Sequence, residues 1–161
     1  MSNRSQARRC PEPRVPGEIR SRPLSPRDHR AVVALDAANT GVAKPRYWRE
    51  LFADYGRRRK THFFLVAEDR AKLVGFIVGE IRAWEFGSVP CGWVLAAEVA
   101  ANARLRRIGT MLVDAIVDLF RQAGVRKLRT MLSRDDLLNL RFFRSQGMMA
   151  GPFIQLEKSL D

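Results

Sequence analysis

The stretch VAANARLRRIGTML, Val99 to Leu112, decides how the rest of the chain is read. A strand-like run ends in small residues, Arg104, Arg106 and Arg107 crowd together, and Gly109 opens an apolar-periodic segment. This is strand, basic loop, helix. The first N–H groups of a helix have no internal partner and its dipole is positive there, so an anion is favoured at that end. Gly109 has no Cβ, which lets the backbone come close to a ligand. Each arginine adds a charge-assisted hydrogen bond of roughly 1.5–3 kcal/mol when it meets a charged group. Together these features describe a pyrophosphate cradle; the plainer alternative is a solvated basic loop. The Walker pattern needs a lysine followed by serine or threonine after its glycines, and the dinucleotide fingerprint needs GxGxxG; neither is present.

Working outward, Trp93 to Val99 (WVLAAEV) is an apolar strand leading into the cradle, and Thr110 to Gln122 is helical, with Gly124 as its stop. Upstream, His62 to Ala67 and Leu73 to Ile81 are two strands joined by a polar turn, so a hairpin. Trp84 to Gly92 is a Gly/Pro loop. Near the start, Ile19 to Leu24 alternates as a first strand. Ser25-Pro26-Arg27-Asp28 then opens a helix in the manner of a capping box. Val32, Val33, Leu35 and Asp36 carry it to a stop at Asn39-Thr40-Gly41. A second helix follows Pro45, with Tyr47, Trp48, Leu51, Phe52 and Tyr55 at three- and four-residue spacing and Gly56 closing it; such a stripe packs on a core, serves a ligand, or does both. Downstream, Val125 to Ser133 is a fifth strand, Asp135-Asp136 cap a helix running to Gly147, and Pro152 to Glu157 reads as a last strand. The order β-α-α-β-β-β-α-β-α-β predicts a mixed α/β domain.

The chain has 161 residues, enough for one domain with a sizeable core. Residues 1–17, rich in arginine and proline with no apolar run, read as a disordered basic tail rather than a secretory signal, which leaves 18–161 for the domain. No run approaches the ~20 apolar residues of a membrane span, so no membrane partner is expected. Cys10 and Cys91 form neither a disulfide framework nor a CxxC pair, and His29 and His62 lack a third ligand, so no metal site is expected. This fits a reducing compartment, the cytoplasm. The net charge of +12 calls for an anionic partner or substrate. A nucleic-acid-binding protein is one reading. Against it, the basic residues are spread along the chain, and no RNP, KH or helix-turn-helix signature is visible.

With these elements in place, the chain resembles the GNAT superfamily of N-acetyltransferases, which bind acetyl-coenzyme A. Val99 matches the family's strand-end valine, Arg104 its Arg/Gln position and Gly109 its final Gly/Ala; Arg107 stands where the first glycine is usual. If that residue is left-handed, arginine costs roughly 1–2 kcal/mol there. Later, Phe142-Phe143 followed by Gly147 keeps the spacing of the family's Phe-Tyr and glycine, and Asp136 falls at its asparagine. Phe143 replaces the tyrosine that often protonates the departing thiolate. The resemblance spans about Glu18 to Asp161. It implies a mostly antiparallel central sheet flanked by helices, with the fourth and fifth strands splayed around the pantetheine arm. It assigns Val99, Arg104, Leu105, Arg106, Arg107, Gly109 and Thr110 to the coenzyme, with Asp136 and Phe143 downstream.

The implied reaction is direct acetyl transfer from acetyl-CoA, with no metal, to a primary amine of a small molecule or protein. Backbone N–H groups near Glu98-Val99 polarise the thioester carbonyl. The amine must lose a proton, and Glu98 and Glu80, each a carboxylate inside a central strand, are the bases to consider. By analogy with the family, the acceptor lies beside Trp48, Phe52 and Tyr55 and the 84–92 loop, where Trp84, Glu85, Phe86 and Trp93 shape it. A homodimer is left open. Phe143 also motivates a second reading, a non-catalytic acyl-CoA-binding module on the same fold.

Overall fold

The computed structural model describes residues 19–84 and 87–160. The tail reading for 1–17, with Cys10, and the roles given to Glu85 and Phe86 fall outside the described residues. In chain order the elements are β1 (Arg20–Pro23), α1 (His29–Thr40), α2 (Pro45–Arg57), β2 (His62–Asp69), β3 (Lys72–Arg82), β4 (Cys91–Val99), α3 (Ile108–Gln122), β5 (Leu128–Thr130) and α4 (Leu137–Ser145). The strands form one five-stranded sheet in sequence order. β1 to β4 are antiparallel, and β5 runs parallel to β4 after the α3 crossover. The expected α/β architecture is the observed one.

Local chemistry explains the entry to α1. The Asp28 carboxylate accepts the Ser25 N–H at 2.8 Å and both Arg22 guanidinium nitrogens at 2.7 and 2.8 Å. Burial pushes this carboxyl up, but the Arg22 hydrogen bonds, the Ser25 N–H and the Arg22 and Arg27 charges together outweigh it and hold it below the usual range. The helix stops on Gly41, left-handed at φ 76°, as glycine permits.

The sheet separates two apolar layers. On one face Phe64, Val66, Phe76 and Val78 pack against Val32, Leu35, Trp48 and Tyr55 of α1 and α2. On the other, Leu65, Ile77 and Val94 pack against Ile108, Leu112, Ile116 and Phe120 of α3. α3 lies very close to the sheet: a Cβ on Gly79 would come 2.9 Å from both Ile116 and Phe120, and one on Gly92 would come 2.8 Å from the Phe120 ring.

The register of β3 and β4 slips between Val78 and Gly79: Val78 faces Ala96 and Gly79 faces Val94, so Leu95 is the extra residue of a bulge. A one-residue slip exchanges the two faces of a strand. Past Leu95, Ala97 and Val99 belong to the α3 layer, while Ala96 faces α1 and α2, and Glu98 follows it there. β5 pairs with β4 only at Gly92, Trp93 and Val94. Beyond these positions the two strands part.

Three expectations are corrected. α2 continues through Gly56 to Arg57. The fifth strand, expected over 125–133, shrinks to three residues because its divergence from β4 leaves Met131 to Ser133 without a ladder partner. Residues 152–157 form no strand: β5 offers too short an edge, and the segment lies exposed, held beside it where the Arg129 guanidinium sits 4.6 Å from the Phe153 ring. No helix among the described residues is long and apolar enough to cross a membrane.

Candidate functional site

β4, the loop after it and the N-terminus of α3 frame a gap on the β5 side. Ala100 N–H donates to Val74 O on β3 at 2.9 Å. By the alternation of an antiparallel ladder, Val99 and Ala97 therefore turn their N–H groups away from β3, into the gap. These are the donors expected near Glu98-Val99, shifted to the two residues flanking Glu98.

The loop from Arg104 to Arg107 is bent by two left-handed residues, Leu105 at φ 64° and Arg107 at φ 58°. Arg107 thus takes the strained alternative raised by its sequence position. It is the N-cap of α3, and its side chain is exposed with no hydrogen-bond or ion-pair partner among the described residues. Strain of this kind persists where surrounding contacts fix it, and functional sites collect it. One such contact is an ion pair of 2.7 Å between Arg106 and Asp69 at the β2–β3 hairpin. Of the three arginines, then, Arg106 is engaged within the fold and Arg107 faces solvent. Arg104 is lightly held, donating to Asn39 Oδ1 at 3.4 Å. Leu105 is fully exposed.

The side-chain position of Gly109 is filled. A Cβ there would meet the Phe142 ring at 3.0 Å, so this glycine seats α4 against α3. Thr110 Oγ1 accepts a long hydrogen bond, 3.5 Å, from Gln146. Asp136 caps α4, accepting from Asn139 N–H at 3.1 Å and its Nδ2 at 2.7 Å. Phe143 is buried in the α3 layer and presents nothing to the gap.

Glu98 stands at the edge of this gap. Its Oε2 accepts from Asn39 Nδ2 at 2.9 Å, and the same nitrogen reaches Val99 O at 3.4 Å. Burial, reinforced by the like charge of Asp36, pushes the Glu98 carboxyl up to about 6. Asp36 itself is 1% exposed, accepting from Trp48 Nε1 at 2.7 Å and paired with Lys44 at 2.9 Å. The site reading missed Asp36 and Asn39. Their signal was an aspartate on the apolar stripe of Val32 and Leu35, with a second polar residue one turn on.

Glu80 has different neighbours. Arg82 Nε donates to it at 2.7 Å, Tyr55 Oη lies at 3.4 Å and His62 Nε2 at 3.4 Å. Burial and the Glu80 charge together push the Tyr55 hydroxyl strongly up, so it stays protonated as a donor. Trp93, opposite Glu80 in the ladder, lies under the Arg82 guanidinium at 5.2 Å, and its indole N–H is buried without a hydrogen-bond partner among the described residues. Trp48 is core rather than an acceptor wall, and Phe52 is half-buried against that core. Trp48 is 1% exposed and edge-on to Phe76; Phe52 stacks edge-on against His29 and Phe64. Trp84 is exposed, with φ 65°.

A family model described as the acetyltransferase (GNAT) family matches residues 29–148. Among curated proteins no sequence match was found. Three solved structures share the fold. The glucosamine-6-phosphate N-acetyltransferase of Arabidopsis thaliana has 20% identity, covers 89% of this chain and 99% of its own, and gives a TM-score of 0.71. The ribosomal-protein-alanine N-acetyltransferase of Brucella melitensis biovar Abortus 2308 has 19% identity, 89% and 100% coverage, and a TM-score of 0.71. The aminoglycoside N-acetyltransferase AAC(6')-Iy in complex with CoA has 14% identity, 92% and 99% coverage, and a TM-score of 0.77.

Proposed function

The chain belongs to the acetyltransferase (GNAT) family, and from that premise we propose that it moves the acetyl group of acetyl-coenzyme A onto a primary amine. The observation that carries the reading is the gap past Val94 and Thr130, bounded by outward N–H groups on β4, by the bent basic loop and by Glu98. The residues fit the donor. The amides around Leu105 and Arg107 and the start of α3 suit a pyrophosphate, with the Arg107 and Arg104 side chains free to reach its oxygens. The acyl thioester supplies an electrophilic carbonyl. Ala97 and Val99 N–H groups polarise it, and Glu98 takes the proton of the incoming ammonium. Phe143 gives no proton, so the leaving thiolate is protonated by water; a thiol titrates near 8.5 and leaves readily as the anion.

The acceptor is an amine of a small molecule or of a protein. The acidic pair at the base favours an ammonium at the point of reaction, while the +12 charge of the chain favours an acceptor carrying acidic groups elsewhere. Cytoplasmic residence is supported by a free, buried Cys91.

The test is a thermal-shift series with acetyl-CoA, CoA and an RNA fragment, followed by turnover on a panel of amino sugars, aminoglycosides and peptide N-termini. At a hundredfold excess over its dissociation constant, a true ligand adds about 2.7 kcal/mol. Stabilisation by both CoA species and acetylation of one amine class is expected. Stabilisation by RNA alone would overturn the reading, and CoA binding with no amine acetylated would make the chain a coenzyme-binding module.

A further inference from the structure

Among the described residues one buried side-chain polar atom lacks a hydrogen-bond partner, the indole Nε1 of Trp93. An N–H buried without an acceptor costs stability, so such a case calls for an explanation. A second observation lies beside it. Four of the described lysines and arginines are not exposed. Three of them meet a carboxylate: Arg22 with Asp28 at 2.7 Å, Lys44 with Asp36 at 2.9 Å and Arg82 with Glu80 at 2.7 Å. Arg129 meets none among the described residues. Its guanidinium donates to Ser88 Oγ at 3.1 Å and sits against the Phe153 ring.

The two residues are ladder partners. The register sets His62 against Glu80, Glu80 against Trp93 and Trp93 against Arg129, one row across β2, β3, β4 and β5. This row lies on the face of the sheet away from α3, because Val94 and Leu128, next in chain to Trp93 and Arg129, pack in the α3 layer. Half of the row is satisfied. Tyr55 of α2 stacks edge-on against His62 and reaches Glu80 with its hydroxyl, and Arg82 balances the Glu80 charge. The other half, an indole and a guanidinium, offers donors only. Donors with a positive charge and no acid beside them select an anion.

We propose that Arg129, with the Trp93 indole N–H as a second donor, holds an acidic group of the acceptor, so that the amine acetylated carries a carboxylate or a phosphate. This rests on the acetyl-transfer reading. The placement agrees with it. Glu98 stands on the same face of β4, further along the strand by about 13 Å once the Leu95 bulge is allowed for. The gap between β4 and β5 opens just past the Trp93–Arg129 pair. An acceptor anchored by its acidic end extends along β4 toward Glu98 and the thioester. Each of its ends then meets the opposite charge, anion at Arg129 and ammonium at Glu98.

The binding half of the test needs no acceptor. The chain has three tryptophans, and the indole N–H signal of Trp93 in a nitrogen-15 spectrum is the one missing from W93F. The full chain is titrated with inorganic phosphate and with succinate, against sodium chloride at equal ionic strength. The Trp93 signal should move to a plateau, while that of Trp48, which donates to Asp36, stays in place. R129M should weaken the apparent affinity about tenfold or more, as loss of a charge-assisted hydrogen bond does, and R129K should weaken it less. The anion that saturates tells phosphate from carboxylate. A Trp93 signal that neither anion moves, or that chloride moves equally, overturns the proposal, and this wild-type titration decides alone should R129M fail to fold. An equal response in folded R129M also overturns it. The turnover half uses amines in matched pairs, with and without an acidic group. R129M should raise KM for the acidic member about tenfold more than for its neutral twin; equal losses on both make Arg129 structural and sink the proposal. If no amine is acetylated at all, the transfer reading fails while the anion site stands or falls on the titration.

Discussion

Glu98 and Glu80 lie on one face of the same sheet, yet they meet opposite company. Glu80 accepts hydrogen bonds from Arg82 and Tyr55 and has His62 Nε2 3.4 Å away. Glu98 meets a single side-chain amide, and burial gives it an appetite for a proton. One is a clasp binding α2 to β2 and β3; the other stands where strands part. Nothing in the residue type separates them. The bulge at Leu95 and the neighbours on α1 and α2 do.

The strongest way to break this contrast is a pair of isosteric changes. Glu98→Gln should lower kcat/KM by about 10²–10⁴, the range for losing a positioned base, while Glu80→Gln should stay within tenfold. Equal losses in acetyl-transfer assays would erase the distinction. Stability should show the reverse. Glu80→Gln is expected to cost about 1–3 kcal/mol in urea unfolding at neutral pH, because a part-buried charged network loses an acceptor, and Glu98→Gln to cost none at that pH. The pH dependence sharpens the point. Below about pH 6 kcat/KM should fall roughly tenfold per unit as Glu98 takes up its proton. Its contribution to stability has a definite sign. Folded Glu98 binds a proton more tightly than an ordinary glutamate titrating at 4.5, so the contribution is complete below pH 4.5 and is lost as pH rises through about 6. Thermal melts of wild type and Glu98→Gln should therefore change in relative order across that window. The smallest effect concerns the loop beside Glu98. Arg107→Gly should relieve about 1 kcal/mol of left-handed strain and raise Tm, while weakening CoA binding several-fold, as isothermal titration would register.

Much of this arrangement was readable before any coordinates. The basic loop, the apolar α3 and the hairpin with its polar turn follow from local rules, and the three-residue spacing of Ser25 and Asp28 marks a real helix entry. What escaped depends on long-range geometry. Gly109 looked like an opening for a ligand, but which atom fills the space beside a glycine is settled by α4 arriving with Phe142. Trp48 and Phe52 sit on an amphipathic stripe whose period gives a buried face without saying whether a substrate shares it. Leu95 as a bulge residue has no local signature; its neighbours Val94 and Ala96 read as an ordinary alternation. Asp36 is visible as a charge on an apolar stripe, though nothing local names Trp48 and Lys44 as its partners. The strand expected at 152–157 has the right alternation and lacks only an edge long enough to receive it.

That short edge has a kinetic side. β1 to β4 form a meander with contacts close in sequence, while β5 must return across the whole of α3 to make three register pairs with β4. Contacts that close long loops form late and yield first. Amides of Leu128, Arg129 and Thr130 should accordingly exchange with solvent far sooner than those of β3, through openings that leave the meander intact. A ligand lying between the two strands would slow that exchange selectively. The place where the sheet is least knitted together is thus where occupancy can be followed residue by residue, with no acceptor in the tube.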